Sequence, residues 1–265
     1  MDKDTFSKLK VADIKALFEN EQALEILPLA QEDDRSSVQK MAASYIKRQE
    51  KELKEQQRLM SMYDYEGMFY DQGIYHVAGV DEVGRGPIAG PVTVAAVILP
   101  PMTLIPCLND SKKLTEEKRE ALYDIIMEEA VAVSCISYGP DKIDELNIYE
   151  ATRQAMYEAI RTLSVPAEAV VADAMKLPDL TIPVESIIKG DSKSANIAAA
   201  SIIAKVTRDR YMKQLDEEYP GYGFGIHKGY YTELHKEAVE QQGVTPLHRK
   251  SFEPIKSIVR WVKPE

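Results

Sequence analysis

The chain has 265 residues, 45% of them hydrophobic, which is enough for one good-sized domain and a smaller one and argues against wholesale disorder. Its formal net charge is −10 at pH 7. This charge argues against a basic protein that coats nucleic acid through many lysines and arginines, but it is compatible with an enzyme that touches few phosphates and carries its own carboxylates.

Residues 1–70 are polar, have no glycine before Gly67, and predict a small helical N-terminal extension. Apolar residues recur at helical spacing between Val11 and Phe18. A longer helix is predicted to begin at the serine pair 36–37, because a serine side chain accepts hydrogen bonds from the free amides of a first turn. Its second half is dense in lysine, glutamate and glutamine, which is typical of a solvated face.

Residues 71–265 alternate apolar, β-branched runs with helical stretches, which predicts an α/β domain with helices packed on the faces of one sheet. A connection rich in glycine and proline joins the first two strands and favours an antiparallel pair. Strands are predicted at 76–83, 92–99, 131–138, 168–173 and 184–188, and helices at 115–130, 149–163, 192–218, 230–242 and 253–260.

The two cysteines, Cys107 and Cys135, have no metal-binding spacing, so neither a disulfide framework nor a structural zinc site is indicated. No apolar stretch reaches the length of a membrane span. The first ten residues lack the apolar core of a secretory signal. We therefore expect a cytoplasmic protein with no membrane partner.

Four acidic residues interrupt or end the apolar strands. They are Asp81 and Glu82 in VAGVDEVGRG, Asp173 at the end of EAVVAD, and Asp191 after VESIIKG. Taken singly, the last two are better explained as a turn former and a helix cap. The adjacent pair inside an apolar strand is harder to explain structurally, because neighbours on a strand point to opposite faces. Strand ends are where α/β sheets place their sites, and hard divalent cations prefer oxygen ligands.

The segment GRGPIAG, residues 84–90, has three glycines within seven residues, so its backbone can approach a ligand closely. It is not a P-loop, because Pro91 and Val92 follow where that pattern needs lysine and serine or threonine. A simple tight turn and a ligand-contacting turn both remain open. Arg85 is compatible with a phosphate or sugar contact.

Two further segments carry charge or aromatic rings. Lys112 and Lys113 of DSKKL are either exposed loop charges or phosphate contacts, whereas Asp110 before them is predicted to be solvated. The stretch YPGYGFGIHKGYY, residues 219–231, either packs on the core or stacks on bases and sugars. Its His227 has no cysteine or histidine partner at zinc-ligand spacing, so a zinc role is not expected.

Together these motifs resemble the bacterial ribonuclease HII family, the type 2 ribonucleases H. The resemblance covers about residues 74–252 and implies a ribonuclease H-like fold, which is a five-stranded mixed sheet flanked by helices. It rests on GVDEVGRGPIAGPV (79–92), DSKKL (110–114), VVADAMKL (170–177), IIKGDSKSANIAAASIIAKVTRD (187–209), HKGYYT (227–232) and HRKSF (248–252), in this order.

The resemblance also implies roles for particular residues. Four carboxylates would be catalytic and would hold Mg²⁺ or Mn²⁺: Asp81, Glu82, Asp173 and Asp191. Aspartate rather than glutamate at the last position favours type HII over the related type HIII. Substrate-binding residues are expected to include the glycine-rich turn, an aromatic ring and two cations: Gly84, Arg85, Gly86, Tyr230, Lys112 and Lys113. The turn would read the 2′-hydroxyl of the ribonucleotide. The tyrosine would stack on the next sugar, although the adjacent Tyr231 leaves the choice of ring open.

The implied activity is an endoribonuclease that hydrolyses the RNA strand of RNA–DNA hybrids. It would also cleave on the 5′ side of ribonucleotides embedded in duplex DNA, as in ribonucleotide excision repair. A two-metal-ion mechanism would leave 3′-hydroxyl and 5′-phosphate ends. Nothing requires more than a monomer, and residues 1–70 are hypothesised to position the substrate.

Two alternatives stay open. One is a non-catalytic nucleic-acid-binding module on the same fold, against which the full set of four carboxylates argues. The other is a metal phosphohydrolase that acts on nucleotides. That enzyme would need a compact phosphate-binding loop, which the sequence does not contain.

Overall fold

The computed structural model describes residues 1–263, and the chain divides into two compact units, Met1–Arg58 and Leu59–Glu265. The first unit is helical, as the sequence predicts. Its own core is built from Phe6, Ile14 and Ile26. Its helices are α1 (Lys3–Lys8), α2 (Val11–Leu17), α3 (Ala23–Gln31) and α4 (Ser36–Ser61), the last of which continues a few residues past the unit.

The second unit contains one five-stranded mixed sheet, which confirms the predicted fold class. The strands are β1 (Val77–Val83), β2 (Val92–Ile98), β3 (Ala132–Tyr138), β4 (Ala169–Asp173) and β5 (Val184–Ile187). Their spatial order is β3-β2-β1-β4-β5. The pairs β1–β2 and β2–β3 are antiparallel, whereas β1–β4 and β4–β5 are parallel. The carboxyl ends of β1, β4 and β5 therefore lie at one edge of the sheet.

Helices cover both faces of the sheet. They are α5 (Asp64–Tyr70), α6 (Glu116–Glu129), α7 (Pro140–Leu146), α8 (Ile148–Arg161), α9 (Ala195–Glu218), α10 (Phe224–His227), α11 (Glu233–Gln242) and α12 (Ile255–Val259). On β2, Ala95 and Val97 pack with α6 and α9, whereas Val94 and Ala96 pack with α8 on the opposite face. Because both faces are covered, β2 is buried throughout rather than alternating between buried and exposed residues. No helix among the described residues is both long and apolar enough to cross a bilayer.

The long helix α9 lies unusually close to β1. A Cβ added at Gly79 would lie only 2.0 Å from the carbonyl carbon of Asn196, so only glycine allows this approach. The Asn196 side chain donates to the Val77 carbonyl at 2.7 Å and accepts from the Leu99 amide at 3.2 Å. These contacts bring the start of α9, and the acidic turn before it, next to the carboxylates of β1.

Candidate active site

Three aspartates from distant parts of the chain converge at one edge of the sheet. Asp81 lies on β1, Asp173 ends β4, and Asp191 lies in the short 3-10 turn Gly190–Ser192 that follows β5. One carboxylate oxygen from each lies within 4.8 Å of the others. The parallel pairing of β1, β4 and β5 places these ends together, as expected where an open α/β sheet carries its site.

Glu82 is adjacent to this group but is not one of the three that converge. Its Oε1 accepts a hydrogen bond from Arg85 Nη1 at 3.2 Å. Its Oε2 is buried and has no hydrogen-bond partner among the described residues. A buried carboxylate oxygen without a partner is costly, because it has lost water and gained nothing in exchange. Such an oxygen is therefore available to a cation.

The electrostatics of the site are unfavourable without a cation. Burial raises the pKa of Asp81 well above its usual value, the neighbouring Glu82 raises it further, and a hydrogen bond from Ser201 opposes both. Burial also raises the pKa of Glu82 and, together with the nearby acids Asp110 and Asp173, that of Asp191. Crowded, desolvated carboxylates of this kind are stabilised by divalent cations with oxygen coordination. The residues present therefore fit Mg²⁺ or Mn²⁺.

Hydrogen bonds within the site fix the carboxylates before any ligand binds. Asp81 Oδ1 accepts from the Glu82 amide at 2.7 Å. Asp173 Oδ1 accepts from the Gly190 amide at 2.8 Å, so it also holds the turn that carries Asp191. A carboxylate that is already oriented loses less conformational freedom when it binds a ligand.

The DSKKL segment lies against the carboxylates, but its two lysines differ. Lys112 Nζ is 3.6 Å from Asp191 Oδ2, although its side chain is 77% exposed. Lys113 is exposed and makes no ion pair with the three aspartates in the part of the chain that is described. Asp110 is half-buried, accepts from the Lys112 amide at 2.9 Å, and lies close enough to Asp191 for its charge to help raise the pKa of that residue. The prediction that Asp110 is a solvated loop residue was wrong.

The glycine-rich turn follows β1 directly, which puts it beside the carboxylates. Gly84 has φ +87°, and a Cβ there would lie 2.2 Å from Arg208 Nε. Gly86 is exposed, and a Cβ there would lie 3.5 Å from Cε1 of the Tyr230 ring. The rings of Tyr230 and Tyr231 are similarly exposed, at 49% and 45%, but only the first has an atom near Gly86.

Sequence reasoning missed several residues that hold this site. Glu66 is fully buried, accepts from Ser194 Oγ at 2.6 Å and the Asn196 amide at 3.0 Å, and so caps α9. Ser111 Oγ and Ser201 Oγ are 2.8 Å apart, which ties the DSKKL segment to α9. No sequence pattern marks these pairs, because their partners lie about 90 to 130 positions away.

The sheet order, the helices on both faces and the carboxylates at one edge define a ribonuclease H-like protein. Two solved structures share this fold at 27% identity. Ribonuclease H2 from Pyrococcus horikoshii OT3 has a TM-score of 0.61 and covers 69% of this chain and 97% of its own. The PCNA:RNase HII complex from Archaeoglobus fulgidus gives a TM-score of 0.54, with 67% of this chain and 95% of the other covered.

Sequence comparisons narrow the class to one family. The Ribonuclease HII family profile matches residues 78–255, and the Ribonuclease HII N-terminal domain profile matches residues 10–70. Ribonuclease HII of Bacillus cereus (strain B4264) is 53% identical over 232 residues, or 88% of this chain and 90% of the relative. That of Bacillus anthracis (strain A0248) is 54% identical over 228 residues, or 86% and 88%. The chain therefore belongs to the ribonuclease HII family, hydrolases that cleave the RNA of RNA–DNA hybrids.

Proposed function

We propose that this chain is an endoribonuclease that cuts the RNA strand of RNA–DNA hybrids and cleaves on the 5′ side of ribonucleotides embedded in duplex DNA. The products would carry 3′-hydroxyl and 5′-phosphate ends. The observation that carries the proposal is the convergence of Asp81, Asp173 and Asp191 within 4.8 Å, beside the turn Gly84–Gly86. Family membership supports the same reaction class.

In this proposal Asp81, Asp173 and Asp191 hold divalent cations, and Glu82 contributes its unpartnered Oε2. A pair of such ions, when bound, activates a water and stabilises the leaving oxygen of a phosphodiester. The chain itself keeps the carboxylates oriented through the amides of Glu82 and Gly190. A repair role in ribonucleotide excision follows from the proposed cleavage position.

We assign recognition of the ribonucleotide to the turn Gly84–Gly86 and to the adjacent Tyr230 ring. A ribonucleotide differs from a deoxyribonucleotide by its 2′-hydroxyl, so recognition needs hydrogen bonds at that oxygen. Gly84, Arg85 and Gly86 offer backbone groups that can come this close, and Tyr230 rather than Tyr231 borders them. Its exposed ring is available to stack on a sugar or a base.

Lys112 and Lys113 are proposed to contact phosphates. Both are exposed and follow each other in the 3-10 turn Ser111–Lys113. Lys112 already lies near Asp191, so a phosphate drawn to cations at the site would come within its reach.

The direct test of the proposed function is cleavage of a short DNA duplex that contains one ribonucleotide. With Mg²⁺ or Mn²⁺ present we expect one nick on the 5′ side of the ribonucleotide, and with EDTA no nick. The same duplex made entirely of DNA should stay intact. Hydrolysis of nucleoside triphosphates without cleavage of the duplex would favour the nucleotide phosphohydrolase instead. Metal-independent binding without cleavage would favour the binding module.

The two adjacent tyrosines provide a matched pair in the same assay. Tyr230→Ala should lower kcat/KM at a single embedded ribonucleotide on the order of tenfold, the loss of about one base-stacking contact. Tyr231→Ala removes an equally exposed ring that has no contact with Gly86, and it should change kcat/KM little. The reverse ranking would show that the wrong ring was assigned.

Residues 1–70 are proposed to position the substrate. Met1–Arg58 forms its own compact unit, and residues 10–70 match their own family profile. Leu59, Met62 and Tyr63 pack with the sheet domain, so a deletion must stop at residue 58 to leave that core intact. Deletion of 1–58 should raise KM for the duplex about tenfold while kcat and thermal stability of the remainder hold. An unchanged KM would refute the positioning role.

We also propose that the protein is a monomer and is located in the cytoplasm. All residues assigned to the site come from one chain, so the activity is proposed for a monomer. Cys107 is exposed, and an exposed cysteine side chain suits a reducing compartment such as the cytoplasm.

A further inference from the structure

Two buried arginines lie behind the turn Gly84–Gly86, and neither is among the residues assigned to metal or substrate. Arg249 is 0% exposed and Arg208 is 1% exposed. Burial lowers the pKa of Arg249 to about 9 and that of Arg208 to about 10, because loss of water disfavours the charged guanidinium. A buried charge is costly, and apolar residues of similar volume are often as stable or more so. Packing alone is therefore a poor explanation for these arginines.

The Arg249 guanidinium donates its hydrogen bonds to backbone carbonyls of the glycine-rich segment. Its Nη2 donates to the Gly84 carbonyl, its Nη1 to the Arg85 carbonyl at 2.9 Å, and its Nε to the Gly90 carbonyl at 3.0 Å. Its own amide donates to the Ile88 carbonyl at 2.8 Å. A planar fork with three separate donors fixes the orientation of three carbonyls at once, which a single ammonium group cannot do.

Because Arg249 fixes the Gly84 and Arg85 carbonyls, it also fixes the orientation of the amide N–H groups that follow them in the chain. In a planar trans peptide the N–H points opposite to the C=O, so the N–H groups of Arg85 and Gly86 are directed away from the guanidinium. Neither N–H donates a hydrogen bond within residues 1–263. Both residues are exposed, and Gly86 borders the Tyr230 ring. Two aligned, unused donors therefore lie on the surface beside the carboxylates.

The segment that carries Arg249 is itself held from two sides. Asp144 accepts hydrogen bonds from the amides of Lys250 and Ser251, both at 2.9 Å. On the other side, His248 Nε2 is 3.1 Å from His235 Nε2. The arginine therefore projects from a fixed base rather than from a free loop.

We propose that Arg249 is a positioning residue that sets the ribonucleotide specificity of this chain. By holding the carbonyls of Gly84 and Arg85, it presents the amides of Arg85 and Gly86 to the 2′-hydroxyl oxygen. The inference rests on the proposed function, in which this turn reads the 2′-hydroxyl. Arg208 packs against Gly84, but it donates to the carbonyls of Pro91 at 2.8 Å and Ala89 at 3.4 Å, farther along the loop, and not to the Gly84 and Arg85 carbonyls that orient these two amides.

The test compares Arg249→Lys with Arg208→Lys in the full chain. The measured quantity is a ratio, the inhibition constant of an all-DNA duplex divided by KM for the same duplex with one ribonucleotide. Arg249→Lys should lower this ratio on the order of tenfold, about the value of one lost hydrogen bond to the substrate. Arg208→Lys places the same chemical change at an equally buried site and should leave the ratio unchanged. The melting temperature of each variant measures the structural cost separately.

The outcomes separate this inference from the proposed function. If the wild-type chain does not cleave the ribonucleotide duplex, the proposed function itself fails. If it does, and both variants lower the ratio equally or neither lowers it, only the role of Arg249 is overturned. If Arg249→Lys does not fold, Arg249→Gln, which buries no charge, is measured instead. Failure of both to fold would show that Arg249 supports the whole domain rather than specificity.

Discussion

Asp81→Asn should abolish cleavage of a duplex with one embedded ribonucleotide. The substitution keeps the shape of the side chain but removes its charge and one cation ligand. Stabilisation of transition-state charge by a bound cation is worth several kcal/mol, so kcat/KM should fall about a thousandfold or more. Initial rates in Mg²⁺ and in Mn²⁺ would measure the loss.

The same substitution should not destabilise the metal-free protein. Asp81 is 4% exposed and its pKa is raised by burial and by Glu82, so removing the charge relieves an unfavourable contact. Denaturant unfolding with EDTA should give equal or higher stability than wild type. Asp141→Asn, the same change at an exposed position at the start of α7, is the control and should retain activity. Full activity in Asp81→Asn would refute the metal-site assignment, whereas lost stability would attribute inactivity to misfolding.

Asp81 and Glu82 were conspicuous in the sequence because they interrupt an apolar strand, whereas Asp173 and Asp191 were assigned to the site only through the family resemblance. Asp81 and Glu82 stand inside a strand that is otherwise apolar, where a charge needs an explanation. The strands followed from hydrophobic runs and turn residues, and the antiparallel pairing of β1 with β2 followed from their short connection, whereas the mixed five-stranded sheet was implied by the family resemblance. What the pattern could not supply was the distance between Asp81 and Asp191. That distance depends on α9 approaching β1 at Gly79, a contact between segments more than a hundred residues apart.

The sequence predicted the presence of helix α11 better than the residue at which it begins. The sequence predicts a helix from residue 230, but α11 begins at Glu233, because Thr232 Oγ1 accepts the His235 amide and caps it. The preceding Tyr230 is thereby left outside the helix, next to Gly86. A helix cap is a local sequence signal, but several residues near this point could act as the cap. In the structure the Gly229 carbonyl, on a residue with φ +85°, accepts hydrogen bonds from two amides of the glycine-rich loop. This contact holds residue 229 outside the helix, so the helix begins after it.

The buried polar residues were not predictable at all. Arg249 and Glu66 act on backbone groups, and a backbone carbonyl or amide has no side-chain identity that a sequence could reveal. His235 and His248 are similar. The sequence around His227 has no zinc-ligand spacing, and it does not reveal that the rings of His227, His235 and His248 meet in the fold.

These histidines form a neutral hydrogen-bond network. His235 Nδ1 is 2.9 Å from the Tyr230 carbonyl and therefore carries a proton, which leaves its Nε2 as an acceptor. His248 Nδ1 accepts from the Thr245 amide at 3.0 Å, so its Nε2 carries the proton shared with His235. His227 stacks on His235 with ring centroids 4.3 Å apart. Every ring nitrogen of His235 and His248 is satisfied in the uncharged form, and an added proton would break one of these bonds.

Acid should therefore destabilise the fold through this network. Burial lowers the pKa of His235 and of His248 to about 4. It also lowers the pKa of His227, although the hydrogen bond to the Tyr222 carbonyl and the charge of Asp216 oppose this shift. In the unfolded chain a histidine has a pKa near 6.5, so the unfolded state takes up protons first as the pH falls. The stabilisation is complete above about pH 6.5 and is lost as the pH falls toward 4. At pH 5 the loss is about 2 kcal/mol for each such histidine.

Buried acidic residues change the stability of the fold in the opposite direction as the pH falls, so the measurement must separate their effect from that of the histidines. Glu66 and Asp81 have pKa values raised by burial, so their protonation adds stability as the pH falls, and a wild-type curve alone mixes both effects. His248→Asn removes one titrating ring, and the carboxylates are common to both proteins. The difference in unfolding free energy between wild type and His248→Asn should therefore shrink by about 2 kcal/mol from pH 7.5 to pH 5. A constant difference for His248→Asn would mean that the histidine network is not the source of the loss of stability in acid.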